Sequence, residues 1–480
     1  MCSGIDLIEL SNNIFNYLEN HFGKKFAENY KEYVASDFKN YIRISGDINQ
    51  QNKIAEILSN VGISLSPVNS VPNAYSVESG ADKIGKTLEH VLGKYYIQSL
   101  SSMIPSLVIS PNENDFVLDM CAAPGSKSTQ ISGLMNNKGT FYANESSGQR
   151  IKSLVFNIDK TNIVNVGVLQ FYGEMLSKYF HSYFDKILVD APCSGLGIVQ
   201  KKGEVSNWWN ENQVMKLVES QWKLLVGAIK SVKVGGEIIY STCTMTIEEN
   251  ELLLNKILEK YPVELEEIEL PVNSHPAFTK YENTNLNPAL EKAKRIIPWE
   301  INSEGFFIAK LRKISDIAPS DYAIIRDKGI KLSTSSDRTI SKYINDINDK
   351  FGIPTDVLNG YKYILKGNDI FFVDENWQTI NPNLFTRIGT HFGSVDKYGN
   401  CILHSLAAQL FENHIEKNKV ELTEAKDFET YMSGGIIKSI VGQGQKVVTF
   451  NGYLIGTAVA SKEGLKSQFP RAMRMQKVIY

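Results

Sequence analysis

Cysteine is scarce and scattered: Cys2, Cys121, Cys193, Cys243 and Cys401 are the only five in 480 residues, and no two form a CxxC pair. An odd count at such spacing argues against a disulfide scaffold. The seven histidines are equally dispersed and give no HxxxH group, so the ligand spacing that zinc uses is lacking and no structural metal is expected. An excess of one charge is missing too, because 51 Lys plus Arg against 53 Asp plus Glu leaves −2. No global basic field is available, and a nucleic-acid partner would have to be held by local patches. Apolar runs never reach the roughly 18 residues of a membrane span. The opening MCSGIDLIELSNN has neither a basic start nor a long apolar stretch, so a cytoplasmic protein, neither secreted nor membrane-bound, is expected.

What is present divides along the chain. The length suggests about three domains, and 42% hydrophobic residues are enough to give each a core. From Asp6 to about Val34, Leu7, Leu10, Ile14, Leu18, Phe22 and Phe26 recur at spacings of three and four, an amphipathic pattern by which helices open the chain. YIRIS reads as a strand, NQQNKIAEILSNVG as a helix ending at Gly62, and NAYSVES as a second strand, closing an N-terminal α/β module over 1–90. From about Asp115 to Ala309 strands and helices alternate, which implies a parallel sheet with helices on both faces over 91–313. The stretch containing KLSTSSDRT is poor in large apolar residues and marks a junction, giving an intermediate region 314–388 and a final α+β domain 389–480. In the latter, QKVVTFNGYLIGTAVA reads as a hairpin turning at Asn451-Gly452.

The chemistry concentrates at strand ends. FVLDM-CAAPGSK-STQISGLM places a strand, a small-residue loop and a helix in succession, the position at which a doubly wound sheet holds its cofactor. Ala122, Ala123, Gly125 and Ser126 allow close backbone approach, and the helix start supplies free N–H groups. Glu145, ending the next strand, can accept both hydroxyls of a ribose. The loop is neither GxGxxG nor a P-loop, so S-adenosylmethionine is favoured over dinucleotides and triphosphates; the plainer reading is a tight turn. The fourth strand runs into Asp190-Ala191-Pro192-Cys193 and the fifth into Thr242-Cys243, so neighbouring strands would bring two thiols to one cleft. A lone cysteine there is usually a small buried hydrophobe. A pair beside a cofactor loop suits covalent chemistry, in which a thiolate adding to carbon 6 of a pyrimidine turns carbon 5 into a nucleophile for a sulfonium methyl. Asp190 would hydrogen-bond the base edge or fix its loop, and Lys127 would orient the site or sit solvated at the surface.

These segments, DMCAAPGSK, Asn144-Glu145, DAPCSGLG and YSTCTMTIEENE, resemble the motif set of the Sun/Fmu family of RNA cytosine-5 methyltransferases. YIQSLSSM, HPAF, GFFIAKLRK and the tail GYLIGTAVASKEGLKSQFPRAMRM are similar to the branch acting on small-subunit ribosomal RNA, so the resemblance covers nearly the whole chain. It implies a Rossmann-like methyltransferase sheet with an N-terminal RNA-binding module and a C-terminal PUA-like RNA-binding domain. It also implies Cys243 as nucleophile and Cys193 as the cysteine that assists product release. Cofactor contacts fall on Cys121, Ala122, Ala123, Pro124, Gly125, Ser126, Lys127, Glu145 and Asp190, and one RNA contact on Arg43. The sequence departs from the family at Tyr172-Gly173, where Asp-Gly is usual, and at Arg43-Ile44-Ser45, where Arg-x-Asn is usual. In the last 20 residues Lys462, Lys466, Arg471, Arg474 and Lys477 against Glu463 give five minus one, or +4, with Phe469 and Tyr480 interleaved, a composition suited to phosphate contacts and base stacking. The implied partner is RNA, ribosomal before transfer RNA, bound by a monomer. A DNA cytosine methyltransferase would instead use Cys193 as its nucleophile, and a noncatalytic ribosome-assembly factor would need neither thiol.

Overall fold

The computed structural model describes residues 9–319, 321, 323–438, 442–475 and 477–480; Cys2 and the first residues of the expected opening helices lie outside them. A ten-stranded sheet organises the molecule. Its five core strands are, in chain order, Phe116–Asp119, Thr140–Asn144, Val166–Leu169, Phe184–Asp190 and Val232–Thr242. They pair in parallel, with the first strand between the second and the fourth. Their near-continuous apolar runs are buried on both faces, as parallel sheets covered by helices require. The order reverses between the first and fourth strands, so the loops leaving those two diverge and open a cleft at their carboxyl ends.

The alternation of elements implies a parallel sheet, but the sheet is mixed. Phe306–Lys313 runs antiparallel to the fifth strand, with Phe307 opposite Thr242 and Arg312 opposite Glu237. The chain rejoins the sheet at Gly305, whose N–H donates to the Gly197 carbonyl in the loop after the fourth strand. Arriving at the carboxyl end, the last strand can only run back down.

Helices open the described chain as expected, Asn12–Phe22 and Lys24–Ala35, separated at Gly23 with φ +89°. The apolar faces of both, Ile14, Tyr17, Leu18, Ala27 and Tyr30 among them, pack on Leu196, Val199, Val205 and Met245, in the loops that follow the fourth and fifth strands. A separate four-stranded antiparallel sheet, built from Ser64–Pro67, Ala74–Ser79, Tyr41–Ile44 and Tyr95–Ile97, carries helix Ile48–Asn60, which starts at a capping box between Asp47 and Gln50.

The segment 314–388 is tied into the central sheet. Arg387–Ile388 pairs antiparallel with the third core strand, and Trp377 and Phe385 are buried in the same cluster as Tyr142 and Phe184. Gly167, in the middle of the third strand, makes this possible: a Cβ there would lie 2.5 Å from Phe385 and 2.6 Å from Trp377. A five-stranded sheet follows, in which Gly444–Phe450 and Tyr453–Ser461 form the expected hairpin; Asn451 (φ 48°) and Gly452 (φ 76°) both take positive φ, as a type I′ turn demands. The end of the chain returns to the N-terminal region through Leu88 N–H to Ile479 O and Ile479 N–H to Lys86 O.

Candidate active site

The cleft at the carboxyl ends of the first, second, fourth and fifth strands has a volume of about 610 Å³ and is lined by Cys121, Glu145, Tyr172, Asp190, Cys193 and Cys243 among others. Its floor is the turn from the first strand into helix Ser126–Leu134. Gly125 takes φ +113°, and a Cβ there would press to 3.3 Å on Leu154, so the small-residue loop is needed for packing as well as access. Asn144 ties the neighbouring loops together: its amide donates to the carbonyls of Met120 and Phe171, both at 3.0 Å, and its oxygen accepts from Phe171 N–H at 3.0 Å. Glu145 is almost wholly buried, accepts from Ser147 N–H at 2.9 Å and pairs with Arg150 at 3.1 Å.

Below the loop, the buried Asp119 accepts from Ser128 Oγ at 2.6 Å through Oδ2. Burial chiefly raises its pKa, to about 7, with the Ser128 hydrogen bond opposing and the Asp190 charge adding.

Lys127 and Asp190 meet at 2.8 Å. The ammonium also donates to Ser102 Oγ at 3.1 Å, and the second carboxylate oxygen accepts from Ser241 Oγ at 2.8 Å. Burial lowers the Lys127 pKa, yet the charge and hydrogen bond of Asp190 outweigh it and leave it raised. Lys127 is therefore a buried cation that fixes Asp190, not a solvated surface lysine.

The two thiols come together as the expected strand order requires. Both are unbridged, half-buried cysteines, with Sγ atoms 3.1 Å apart. The hydrogen bond with Cys243 and then burial push the Cys193 pKa well up. The loops carrying them are joined by backbone: Gly197 N–H donates to Cys243 O at 2.9 Å. A Cβ on Gly197 would lie 2.1 Å from Gly305 O and 2.8 Å from Cys243 O, so only glycine fits.

Three expected RNA contacts stand differently in the structure. Arg43 is buried and donates to Thr129 Oγ1 (2.9 Å), Gln98 Oε1 (3.1 Å) and Ser126 O (3.4 Å). It clasps the start of the cofactor-loop helix instead of facing solvent, because the strand that bears it lies against that helix. Arg474 is half-buried with Nε bound to Phe469 O at 3.1 Å, and Phe469 itself is core, since the tail folds back over the last sheet. Lys462, Lys466 and Arg471 are exposed. Tyr172 lines the cleft at its mouth and is 70% exposed.

A family model described as 16S rRNA methyltransferase RsmB/F matches residues 106–312. Over 434 residues the chain is 31% identical to the ribosomal RNA small subunit methyltransferase F of Vibrio parahaemolyticus, covering 87% of this chain and 88% of that one. The chain belongs to the RsmB/F methyltransferase family. It is also 34% identical over 279 residues to a 28S rRNA (cytosine-C(5))-methyltransferase of Mus musculus, covering 57% of this chain and 35% of that one. The crystal structure of a methyltransferase homologue from Pyrococcus horikoshii superimposes with a TM-score of 0.55 at 27% identity, covering 63% of this chain and 100% of that one. The RsmB/F match runs from before the first core strand to the last, and every cleft residue named above falls inside it.

Sequence reasoning missed several RsmB/F residues that shape the cleft without lining it: Asp119, Gly197, Glu249 and Arg295. The signal for the last two was the acidic run Glu248-Glu249-Asn250-Glu251 set directly before the apolar Leu252, Leu253 and Leu254. Charges at the start of a buried helix need partners in the core. Here they form a π-helical turn, Glu248–Leu252, with Tyr17 OH on Glu248 at 2.5 Å and Arg295 clasping Glu251 through two parallel hydrogen bonds.

Proposed function

We propose that the protein transfers a methyl group from S-adenosylmethionine to carbon 5 of a cytosine in small-subunit ribosomal RNA, through a transient bond between Cys243 and carbon 6. The observation that carries this reading is the pair of unbridged thiols 3.1 Å apart at the mouths of adjacent strands.

The residues present fit the cofactor. Glu145 would accept from its ribose hydroxyls, and the Cys121–Lys127 turn would approach it through backbone. When bound, it supplies the methyl group as an electrophile on a sulfonium sulfur. Cys243 as thiolate forms the bond to carbon 6, which places an electron pair at carbon 5. Asp190, held by Lys127, faces the cleft and is positioned to hydrogen-bond the base edge as charge develops. On release the carbon 5 proton passes to water, the bond between sulfur and carbon 6 breaks, and its electron pair returns to Cys243. Cys193 supports the departing thiolate by donating its hydrogen bond. RNA outside the cleft would be held by the exposed Lys462, Lys466 and Arg471 of the last domain, which we read as PUA-like, and by the N-terminal module.

Tritiated methyl transfer tests the activity. The purified protein should label 16S ribosomal RNA, at a cytosine that then resists bisulfite conversion, and should leave DNA unlabelled. Label in DNA, or none in either, would overturn the reading.

The exposed Tyr172 yields a second expectation. A carboxylate at that place could accept from the adenine amine, and one such hydrogen bond is worth about 1.5–3 kcal/mol when shielded and less at an open cleft mouth. Tyr172→Asp should therefore leave S-adenosylmethionine affinity unchanged or tighten it by up to about tenfold by calorimetry. Weaker binding would mean that the phenol itself holds the adenine.

A further inference from the structure

The acidic turn after Cys243 contains one carboxylate that reaches both thiol loops. Glu249 is fully buried and touches no solvent. Its Oε1 accepts from Ser194 N–H at 2.9 Å and from Gln221 Nε2 at 2.8 Å, and its Oε2 accepts from Ser194 Oγ at 2.5 Å and Thr246 Oγ1 at 2.6 Å. Ser194 adjoins Cys193, and Thr246 stands three residues past Cys243. Gln221 donates as well to Pro192 O at 2.9 Å, so Cys193 is gripped on both sides by groups that converge on Glu249. Ser194 Oγ also meets Thr244 Oγ1 at 2.8 Å, which draws the two loops together a second time. A carboxylate serving only the fold would not need to sit between two catalytic cysteines. Buried polar groups of this kind are costly unless every partner is in place, and here every partner lies on a thiol loop or on the helix that backs one.

We propose that Glu249 is a positioning residue that sets the Cys193 loop against the Cys243 loop and holds Cys193 as a hydrogen-bond donor facing Cys243. The second part follows from charge: a carboxylate beside a thiol disfavours its ionisation, and although burial raises the Glu249 pKa, the hydrogen bonds from Ser194, Thr246 and Gln221 oppose that and favour its charged form. Glu249 is one of the groups that push the Cys193 pKa up, after the hydrogen bond with Cys243 and burial. Glu249 also accounts for the acidic run as a clamp and not as a source of acid or base. It touches neither substrate nor cofactor.

The inference rests on the roles proposed for the two cysteines, and its test separates the two. In a Cys243→Ala background, alkylation of Cys193 by iodoacetamide, followed by peptide mass spectrometry across pH, reads its protonation with no RNA present. Glu249→Gln keeps the size and can still pair with the Ser194 N–H and the two hydroxyls, but removes the charge. It should speed Cys193 alkylation near neutral pH by about threefold or more and shift the profile to lower pH. In the enzyme with both thiols, Glu249→Gln should slow release of methylated RNA while leaving the methyl-transfer step of a single turnover within about twofold. Glu249→Ala, if it folds, should accumulate the covalent complex to a greater extent. An unchanged alkylation profile in Glu249→Gln overturns the inference whatever happens to activity. A shifted profile with normal product release upholds the electrostatic part and overturns the assigned role of Cys193.

Discussion

Cys193→Ala enzyme is expected to methylate its RNA once and then stay attached to it, as a band that survives denaturing electrophoresis. Cys243→Ala should give neither methylated product nor band. The two outcomes differ because the roles proposed for the thiols, 3.1 Å apart, are opposite. On that proposal Cys243 makes the bond, while Cys193, whose pKa is pushed up by its hydrogen bond with Cys243 and by burial, eases the same sulfur off again. Removing the donor leaves addition intact and slows only elimination. Normal release from Cys193→Ala, or a covalent band from Cys243→Ala, would contradict the assignment.

Arg295→Ala should lower folding stability by about 3–5 kcal/mol, the range for stranding one member of a buried ion pair. Arg295 and Glu251 are both shut off from solvent, with Nε to Oε1 at 2.6 Å, a second parallel contact from Nη2, and Nη1 on Met245 O at 3.0 Å. The guanidinium lies between the rings of Phe22, Phe278 and Phe307, and Phe278 N–H donates to the same carboxylate at 3.1 Å. Urea unfolding checks the size of the loss. The double variant Arg295→Met with Glu251→Leu should recover most of it, since neither charge is then left alone in the core. A loss below about 1 kcal/mol in Arg295→Ala would place the pair with exposed salt bridges and contradict this account.

The parts of this protein that are legible in sequence are those governed by period and by spacing. Core strands announce themselves by apolar runs, and the hairpin at Asn451-Gly452 by a dipeptide that tolerates positive φ at both positions. Cys193 and Cys243 can be brought together because strand order in a doubly wound sheet converts separation along the chain into adjacency. What stays hidden depends on tertiary contact. The resemblance implies Arg43 as an RNA contact, yet it is enclosed by Gln98, Ser126 and Thr129. Gly167 looks like a weak point in a strand until Trp377 and Phe385, some two hundred positions away, are seen to need the room. The strand Arg387–Ile388 is too short to show any period, and the reversed direction of Phe306–Lys313 follows from where Gly305 docks and not from anything in its own residues. Glu249 is visible as a letter in an acidic run; that it joins the loops carrying Cys193 and Cys243 is a property of the fold alone.

The most direct test of the central claim is to ask which sulfur bonds to RNA. A small-subunit ribosomal RNA fragment carrying 5-fluorocytosine at the methylated position cannot lose its carbon 5 substituent as a proton, so the adduct should persist after methyl transfer. Digestion and mass spectrometry should then find the nucleotide on the peptide containing Cys243. A nucleotide on the peptide containing Cys193, or on neither, would contradict the account.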